Sequence, residues 1–236
     1  TIMKIAVIPA RGGSKRIPMK NIKNFSGKPI IAWSIEVAIK SKLFDRVIVS
    51  TDNHEIASIA KQHGADVPFM RSKHLSDDYT GTNAVVKDVI QNIHKNGEQV
   101  SYVCCIYATA PFVSSKYLIK AYQDLINQNK SYAFSVTTYS FPVKRSFVIN
   151  QSNVIENLFP DMTLSRSQDL QEVYHDAGQF YWGSADAFLN DLPVFSRHSI
   201  PIILPRYLVQ DIDTIEDWKQ AELMFESYLY NKDLYP

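Results

Sequence analysis

The chain of 236 residues has little of what marks several common protein classes. Its only two cysteines, Cys104 and Cys105, are neighbours in an apolar run and can hardly form an ordinary disulfide. No second cysteine pair accompanies them, and the six histidines form no HExxH pattern, so we predict no structural zinc. We expect two buried thiols instead.

Net charge and long apolar runs are also nearly absent. The formal net charge is +1, so an extended nucleic-acid surface is not favoured and any attraction to phosphate must be local. No apolar run approaches the length that spans a bilayer, and the first one ends at Pro9, too early for a signal peptide. We therefore expect a cytoplasmic protein with neither nucleic acid nor membrane as a partner.

The common nucleotide-binding fingerprints are missing as well. The sequence contains neither GxxxxGK[ST] nor GxGxxG. A P-loop NTPase or a nicotinamide dehydrogenase would have to lack its defining loop, so both classes are disfavoured.

Short apolar runs alternate with helical patterns through the first half of the chain. This βαβαβαβ order predicts one α/β domain over residues 1–236, with a mostly parallel, Rossmann-like sheet covered by helices on both faces. Ligands of such sheets bind beyond the carboxyl ends of the strands. The predicted strands are 5–8, 46–51, 67–70 and 102–107, and the predicted helices begin at Pro29 and cover 53–63 and 83–93.

The alternation stops in the second half. Extended runs at 133–140, 145–149 and 178–182, with longer polar connections, predict an antiparallel excursion that carries a subunit contact, at approximately 139–172. A strand over 200–204 and a closing helix with Trp218 and Phe225 on one face follow.

The most informative segment is Ile8 to Asn21, IPARGGSKRIPMKN, which follows the first predicted strand. Gly12 and Gly13 allow backbone N–H groups to approach an anion closely, and four cationic side chains can neutralise a triphosphate. The cations are Arg11, Lys15, Arg16 and Lys20. A solvated basic loop is the alternative interpretation.

The second signal is QDIDTIEDW at Gln210 to Trp218. In an extended segment the side chains of Asp211 and Asp213 point the same way, so both carboxylates can face one Mg²⁺ ion. Helix capping by Thr214 and Asp217 is the alternative for the acids in this segment. It does not explain Asp211, which lies upstream of the cap.

Together these segments resemble a known family. IPARGGSKRIPMKN, RSKHLSDD (Arg71 to Asp78) and QDIDTIEDW are similar to the three signatures of the CMP-nonulosonate synthetases, the cytidylyltransferases that activate sialic-acid-type sugars. CCIYATAP, SRSQDL and YHDAGQFYWG at Tyr174 to Gly183 resemble the pseudaminic acid branch. The resemblance covers nearly the whole chain in the right order and implies a fold of the nucleotide-diphospho-sugar transferase type.

The resemblance implies a reaction between CTP and a nine-carbon 2-keto sugar acid, with Mg²⁺ held by Asp211 and Asp213. It places Arg11 at the α-phosphate, Ser14 and Lys20 at the departing phosphates, and Arg71 near the cytosine and ribose. The implied catalytic residues are Arg11, Lys20, Asp211 and Asp213. The implied nucleotide-binding residues are Ala10, Arg11, Gly12, Gly13, Ser14, Lys20, Asn21 and Arg71.

The assignment of sugar-binding residues rests on the same resemblance. Tyr107 stands where the sialic acid branch usually has glutamine, which argues against neuraminic acid itself. Lys144 and Arg166 match positions that reach the neighbouring subunit's site, which implies a homodimer with shared active sites. The implied sugar-binding residues are Tyr107, Lys144, Arg166, His175, Asp176 and Gln179.

Plainer interpretations accompany these assignments. Arg71 can be an ordinary surface arginine, Lys144 and Arg166 can be rim charges, and the pair His175 and Asp176 can be a satisfied hydrogen bond inside the core.

Other functions also stay open. The same chemistry on legionaminic or N-acetylneuraminic acid is the near alternative, and the KDO-activating relatives usually lack the double glycine found here. A CTP-binding regulatory module without turnover and a protein-interaction domain without nucleotide affinity are alternatives from other classes.

Overall fold

The computed structural model describes residues 2–77 and 81–231. Asp78, the last residue of RSKHLSDD, lies outside them, as do Thr1 and residues 232–236. The strands are β1 (Met3–Pro9), β2 (Asn24–Phe25), β3 (Lys28–Pro29), β4 (Arg46–Ser50), β5 (Val100–Ile106), β6 (Tyr132–Thr138), β7 (Phe147–Ile149), β8 (Ile155–Asn157), β9 (Tyr174–Ser184) and β10 (Ser199–Ile203). The helices longer than one turn are α1 (Ile30–Lys40), α2 (His54–Gln62), α3 (Thr82–Lys95), α4 (Ser115–Asn127), α5 (Ala185–Leu189) and α6 (Ile215–Asn231).

The central sheet has six strands in the order β10-β6-β9-β5-β1-β4. Strand β9 runs antiparallel to both of its neighbours, and the other pairs are parallel. The predicted mostly parallel sheet is confirmed. The extended runs predicted at 133–140 and 178–182 form parts of β6 and β9 and so belong to this central sheet.

Helices cover both faces of the sheet, as predicted. Helices α1, α2 and α4 pack on one face around Ile35 and Trp182, and α3 and α5 pack on the other around Ile90 and Phe188. The Cys104 and Cys105 thiols are buried as predicted, and burial raises the pKa of both. Within the described ranges no helix combines the length and the apolar character needed to cross a membrane.

A third apolar cluster joins the start of the chain to its end. It contains Ile17 from the loop after β1, Phe25 from β2 and Ile212 from the segment before α6. Phe25 packs edge-to-face on Trp218 of α6, with ring centroids 5.5 Å apart. Burial of Ile17 and Ile212 in one cluster forces the polar residues beside them onto the same part of the surface.

Two parts of the sequence prediction are wrong or incomplete. The strand predicted at 67–70 is absent, and this region makes only the single bridge between Ile48 and Asp66. Pro68 lacks an N–H and cannot continue a strand ladder. Helix α4 has no counterpart among the predicted elements, although Leu118, Ala121 and Leu125 are buried at helical spacing.

The excursion, residues 139–172, leaves the central sheet between β6 and β9. Its regular part is the antiparallel hairpin of β7 and β8, whose residues are all exposed. Single-turn helices at Val143–Arg145, Pro160–Met162 and Ser167–Asp169 flank the hairpin.

Candidate active site

The loop that follows β1 packs against the end of β4. The Ala10 N–H donates to the Ser50 carbonyl oxygen and the Gly12 N–H to Asp52 Oδ1, each at 2.9 Å. A Cβ on Gly12 would lie 3.0 Å from side-chain atoms of Asn53, so a side chain at this position would crowd its neighbour. The loop is thereby held at the carboxyl ends of β1 and β4, where ligands of such sheets bind.

The rest of the loop is partly open. Ser14 and Arg11 are half-buried, and a Cβ on Gly13 would meet nothing within 4 Å. Asn21 is buried, and its Nδ2 donates to the Arg11 carbonyl oxygen at 3.0 Å. Asn21 therefore supports the loop through this bond, and the direct contact with nucleotide that the resemblance implies stays a prediction.

The cationic loop and the acidic segment meet. Lys20 Nζ donates to the Ile212 carbonyl oxygen at 2.7 Å and lies 3.5 Å from Asp213 Oδ1. The same carboxylate oxygen is 3.1 Å from the Arg16 guanidinium. Two residues about 190 positions apart in the chain thus form one charged group at the rim of the sheet.

Asp211 and Asp213 flank the fully buried Ile212, as the alternation in the sequence predicts. They line a cavity of about 350 Å³. Although Asp211 borders this open space, partial desolvation of its carboxyl group raises its pKa, and the negative charge of Asp213 raises it further. A cation bound between the two carboxylates would relieve the repulsion between them.

Capping accounts for the acid at 217. Thr214 Oγ1 accepts a hydrogen bond from the Asp217 N–H at 3.2 Å, and Asp217 Oδ2 accepts one from the Thr214 N–H at 2.7 Å. This is the capping box that the sequence predicts at the start of α6. The Asp213 N–H also donates to Asp217 Oδ2, at 3.1 Å, so the cap fixes the backbone of the acidic segment.

The acid pair suits Mg²⁺ only with help from a substrate. No group of three or more acidic, histidine or cysteine side chains that could hold a metal occurs among residues 2–77 and 81–231. Mg²⁺ in nucleotide sites is commonly held by one or two carboxylates plus the phosphates. Asp211 and Asp213 fit that pattern, and the cationic side chains of Lys20 and Arg16 lie beside them.

Arg71 is not a surface arginine, because only 6% of the residue is exposed. Its Nε donates to Ser50 Oγ at 3.0 Å and its Nη2 to the Ser50 carbonyl oxygen at 2.5 Å. Burial lowers the pKa of Arg71, and the nearby charge of Asp52 opposes that change. Arg71 therefore lies at the end of β4, beside the loop after β1, and much of its hydrogen-bonding capacity serves the fold.

Two of the predicted sugar-binding residues share a hydrogen-bonded group with Tyr181. Tyr181 Oη donates to Asp176 Oδ2 at 2.6 Å, and the Tyr107 and Tyr181 ring centroids are 5.3 Å apart. Burial raises the pKa of both tyrosines, so both hydroxyls stay protonated. This group lines a second cavity of about 200 Å³, which Val194 and Phe195 also border.

The other two predicted residues of β9 behave differently. His175 borders the larger cavity, and its Nδ1 is 2.8 Å from the Asp176 carbonyl oxygen. Gln179 is buried, and its Nε2 donates to the Leu208 carbonyl oxygen at 2.5 Å. The side chains of His175 and Asp176 do not bond to each other, so the simple pair considered from the sequence is not formed.

Lys144 and Arg166 do not border either cavity. Both lie on the excursion, where Arg166 Nε donates to Asp169 Oδ2 at 2.8 Å and its side chain is largely exposed. These two residues therefore lie outside the two cavities that the other predicted sugar and metal residues, apart from the buried Gln179, border.

Three residues of the site were not predicted from the sequence. The sequence predicts Arg16 as a cation of the loop but not as a partner of Asp213. Asp52 accepts the Gly12 N–H, and Tyr181 donates to Asp176. Asp52 directly follows β4 at the binding edge of the sheet, so strand position alone could have indicated it. Tyr181 gave no comparable signal, because its neighbours suggest only a core strand.

Comparisons with known proteins agree with this geometry. A pseudaminic acid cytidylyltransferase of Campylobacter jejuni subsp. jejuni serotype O:2 is 44% identical over 94% of this chain and 96% of its own. A CMP-N,N'-diacetyllegionaminic acid synthase of Legionella pneumophila is 31% identical over 94% and 96%.

The fold agrees as well. A solved CMP:2-keto-3-deoxy-manno-octonic acid synthetase complexed with CTP superposes with a TM-score of 0.70 at 17% identity, covering 95% of this chain and 99% of its own. The cytidylyltransferase family model matches residues 5–233. With the cationic loop and the acid pair in one place, this match shows that the chain belongs to the cytidylyltransferase family.

Proposed function

We propose that this chain joins CTP to pseudaminic acid and releases CMP-pseudaminic acid and pyrophosphate. The observation that carries the proposal is the meeting of two distant motifs, with Lys20 Nζ 2.7 Å from the Ile212 carbonyl oxygen. Sequence similarity supports the choice of sugar, because identity is 44% to the pseudaminic acid enzyme and 31% to the legionaminic acid enzyme. The product would supply surface glycans, and a flagellin modification protein of Campylobacter coli is 30% identical.

In this reaction the C2 hydroxyl oxygen of the sugar attacks the α-phosphorus of CTP. A new oxygen–phosphorus bond forms, the bond from the α-phosphorus to the bridging oxygen breaks, and pyrophosphate and the hydroxyl proton leave. The protein forms no covalent bond in such a displacement, so its residues act by positioning and by neutralising charge. Arg11 faces the α-phosphate in this proposal, and Ser14 and Lys20 hold the departing phosphates.

We assign Mg²⁺ to Asp211 and Asp213. When bound, the ion stabilises negative charge on the phosphate oxygens. Lys20 and Arg16 contact Asp213 in the structure. Once that carboxylate binds the ion, both cations can bind the phosphates instead. Asn21 and Arg71 keep the loop and the end of β4 in place around the nucleotide.

The sugar has two cavities available beside the acid pair. Asp176 borders both of them, His175 borders the larger one and Tyr107 the smaller one. The smaller cavity combines tyrosine hydroxyls with the apolar side chains of Val194 and Phe195. This combination suits a sugar that carries hydroxyl groups together with apolar N-acyl or methyl groups.

We further propose that the excursion forms a homodimer with a second copy of this chain. It exposes large apolar side chains that a monomer would leave in water, such as Phe141, Ile149 and Leu164. Lys144 and Arg166 lie on the same excursion, where they can reach the sugar carboxylate in the partner's site. The arginine guanidinium can bind both oxygens of a carboxylate.

A cytoplasmic location completes the proposal, because CTP is a cytoplasmic metabolite. Fractionation of cells that express the tagged chain tests this point directly. Recovery of the chain in the soluble cytoplasmic fraction is expected, and recovery outside the cytoplasm would contradict it.

The decisive experiment offers the purified chain CTP, Mg²⁺ and one sugar at a time, and measures pyrophosphate release. We expect turnover with pseudaminic acid and little with legionaminic or N-acetylneuraminic acid. A preference for either of these two would move the chain to that branch. CTP binding without turnover on any sugar would instead indicate the regulatory module, and the absence of a CTP-dependent thermal shift would indicate an interaction domain.

A further inference from the structure

Strand β9 carries a bulge beside the acid pair. Phe134 of β6 pairs with Tyr181, whereas Val136, two residues further on, pairs with Asp176. Ser135 therefore faces a longer segment, residues 177–180, and the register of the pairing with β6 shifts there. Such bulges are often found next to active sites, where they aim a side chain or change the course of a strand.

Hydrogen bonds within the sheet hold the bulge in shape. The Gly178 N–H donates to Asp176 Oδ1 at 2.8 Å, and Tyr181 Oη donates to Asp176 Oδ2 at 2.6 Å. The Phe180 N–H donates to Ser135 Oγ at 3.2 Å. Both carboxylate oxygens of Asp176 thus bind groups of the chain, one within the bulge and one directly after it.

The bulge lies beside the acidic segment at two points. Gly178 has a φ of +65°, and a Cβ built on it would lie 3.5 Å from Asp211 Oδ1. One residue further, Gln179 Nε2 donates to the carbonyl oxygen of Leu208, three residues before Asp211. A side chain at position 178 would therefore touch the carboxylate, and Gln179 binds the backbone that leads to it.

We propose that Gly178 and Gln179 are positioning residues that set the Asp211 carboxylate for the divalent cation, and that Asp176 anchors them. This inference rests on the proposed metal role of Asp211. It gives Gln179 a different role from the sugar contact expected from the sequence, because its buried amide is already bound to Leu208. Loss of groups that orient metal ligands typically weakens metal binding by about 10- to 100-fold.

The first test is Gly178→Ala, which adds a methyl group beside Asp211 and strains the left-handed backbone. Gly97→Ala is its matched control, since Gly97 has a φ of +90° and nothing within 4 Å of its would-be Cβ. Binding of Mn²⁺ to the protein–CTP complex, without sugar and thus without turnover, is measured by electron paramagnetic resonance. We expect binding weakened by about tenfold in Gly178→Ala and unchanged in Gly97→Ala. Equal affinities in both variants would overturn the inference.

The second test is Gln179→Met, which keeps the volume but removes the donor to Leu208. Tyr132→Phe is its control, because Tyr132 Oη also donates to a backbone carbonyl, that of Leu192, at 2.9 Å. Thermal unfolding of both variants is measured first, and both are expected to fold. Gln179→Met should weaken Mn²⁺ binding and leave the sugar KM at saturating Mg²⁺ unchanged. A raised sugar KM with unchanged Mn²⁺ binding would show that Gln179 contacts the sugar.

Asp211→Asn in the same Mn²⁺ experiment separates the two levels of the argument. Normal Mn²⁺ binding in Asp211→Asn would contradict the metal assignment itself. Weak binding in Asp211→Asn with normal binding in Gly178→Ala and Gln179→Met would keep the assignment and reject the positioning role.

Discussion

The surface around Asp211 and Asp213, here called the acidic rim, differs from the excursion in how its apolar residues are buried. At the rim, Ile17 and Ile212 are fully buried, and the charged residues beside them bind one another. On the excursion, Phe141 is 83% exposed and Leu164 is 96% exposed. Side chains that a buried core holds in place can bind a ligand without rearrangement. A large exposed apolar surface, in contrast, is typical of a contact between proteins. The comparison suggests that the nucleotide half of the site is formed within one chain and that the sugar half is completed by a second.

The largest effect is expected at the rim, for Asp213→Asn. The variant should fold normally and lose activity by about 100-fold or more, because one ligand of the cation and its charge are removed. Rate is measured against Mg²⁺ concentration. Asp124→Asn, which removes a carboxylate from a surface ion pair with Lys120, is the control and should keep full activity. Full turnover of Asp213→Asn at limiting Mg²⁺ would exclude its metal role.

The next effect is expected on the excursion, for Leu164→Asp combined with Phe141→Asp. Charges on this surface should dissociate the proposed dimer into monomers that keep their fold, since neither side chain is part of the core of its own chain. Light scattering gives the mass, and CTP titration shows whether the rim still binds nucleotide. Retention of CTP binding with loss of turnover is expected. A dimer of unchanged mass would place the interface elsewhere.

A smaller effect links the two regions. Arg166→Ala should raise the KM for the sugar several-fold and leave the KM for CTP nearly unchanged, because the residue is proposed to meet the sugar carboxylate across the dimer. Arg145→Ala is the neighbouring control, since Arg145 also lies on the excursion, where its guanidinium donates to Ser167 Oγ at 3.3 Å. An unchanged sugar KM in Arg166→Ala would show that Arg166 is an ordinary surface charge of the excursion.

The smallest effect concerns stability at the rim. The pKa of Asp211 is raised in the folded chain, so its ionised form disfavours folding at pH values above its ordinary pKa. In the absence of metal, Asp211→Asn should therefore unfold at a slightly higher temperature than the unmodified chain at pH 7, by at most about 1 kcal/mol in stability because solvent screens the group. The difference should vanish at pH values below the ordinary aspartate pKa. A variant that is less stable at pH 7 would contradict the raised pKa.

Sequence reasoning predicted the alternation of strands and helices well because apolar periodicity is local. It also predicted the alternation of Asp211 and Asp213 around Ile212 and the capping box of Thr214 and Asp217, because both patterns are local too. It failed at 67–70, where Pro68 interrupts an otherwise strand-like run.

What the sequence could not give is contact between distant residues. The bonds of Gln179 to Leu208 and of Arg16 to Asp213 depend on how β9 and the loop after β1 pack against the segment before α6. No periodicity specifies such contacts. For this reason the bond between buried Gln179 and the Leu208 carbonyl oxygen has no signal in the sequence.

The most direct test of the central claim is a crystal structure of the chain grown with CTP and Mn²⁺. The account predicts an anomalous peak between the carboxylates of Asp211 and Asp213, with the triphosphate within hydrogen-bonding distance of Lys20 Nζ. A triphosphate bound on another face, or a metal ion held without either aspartate, would contradict it.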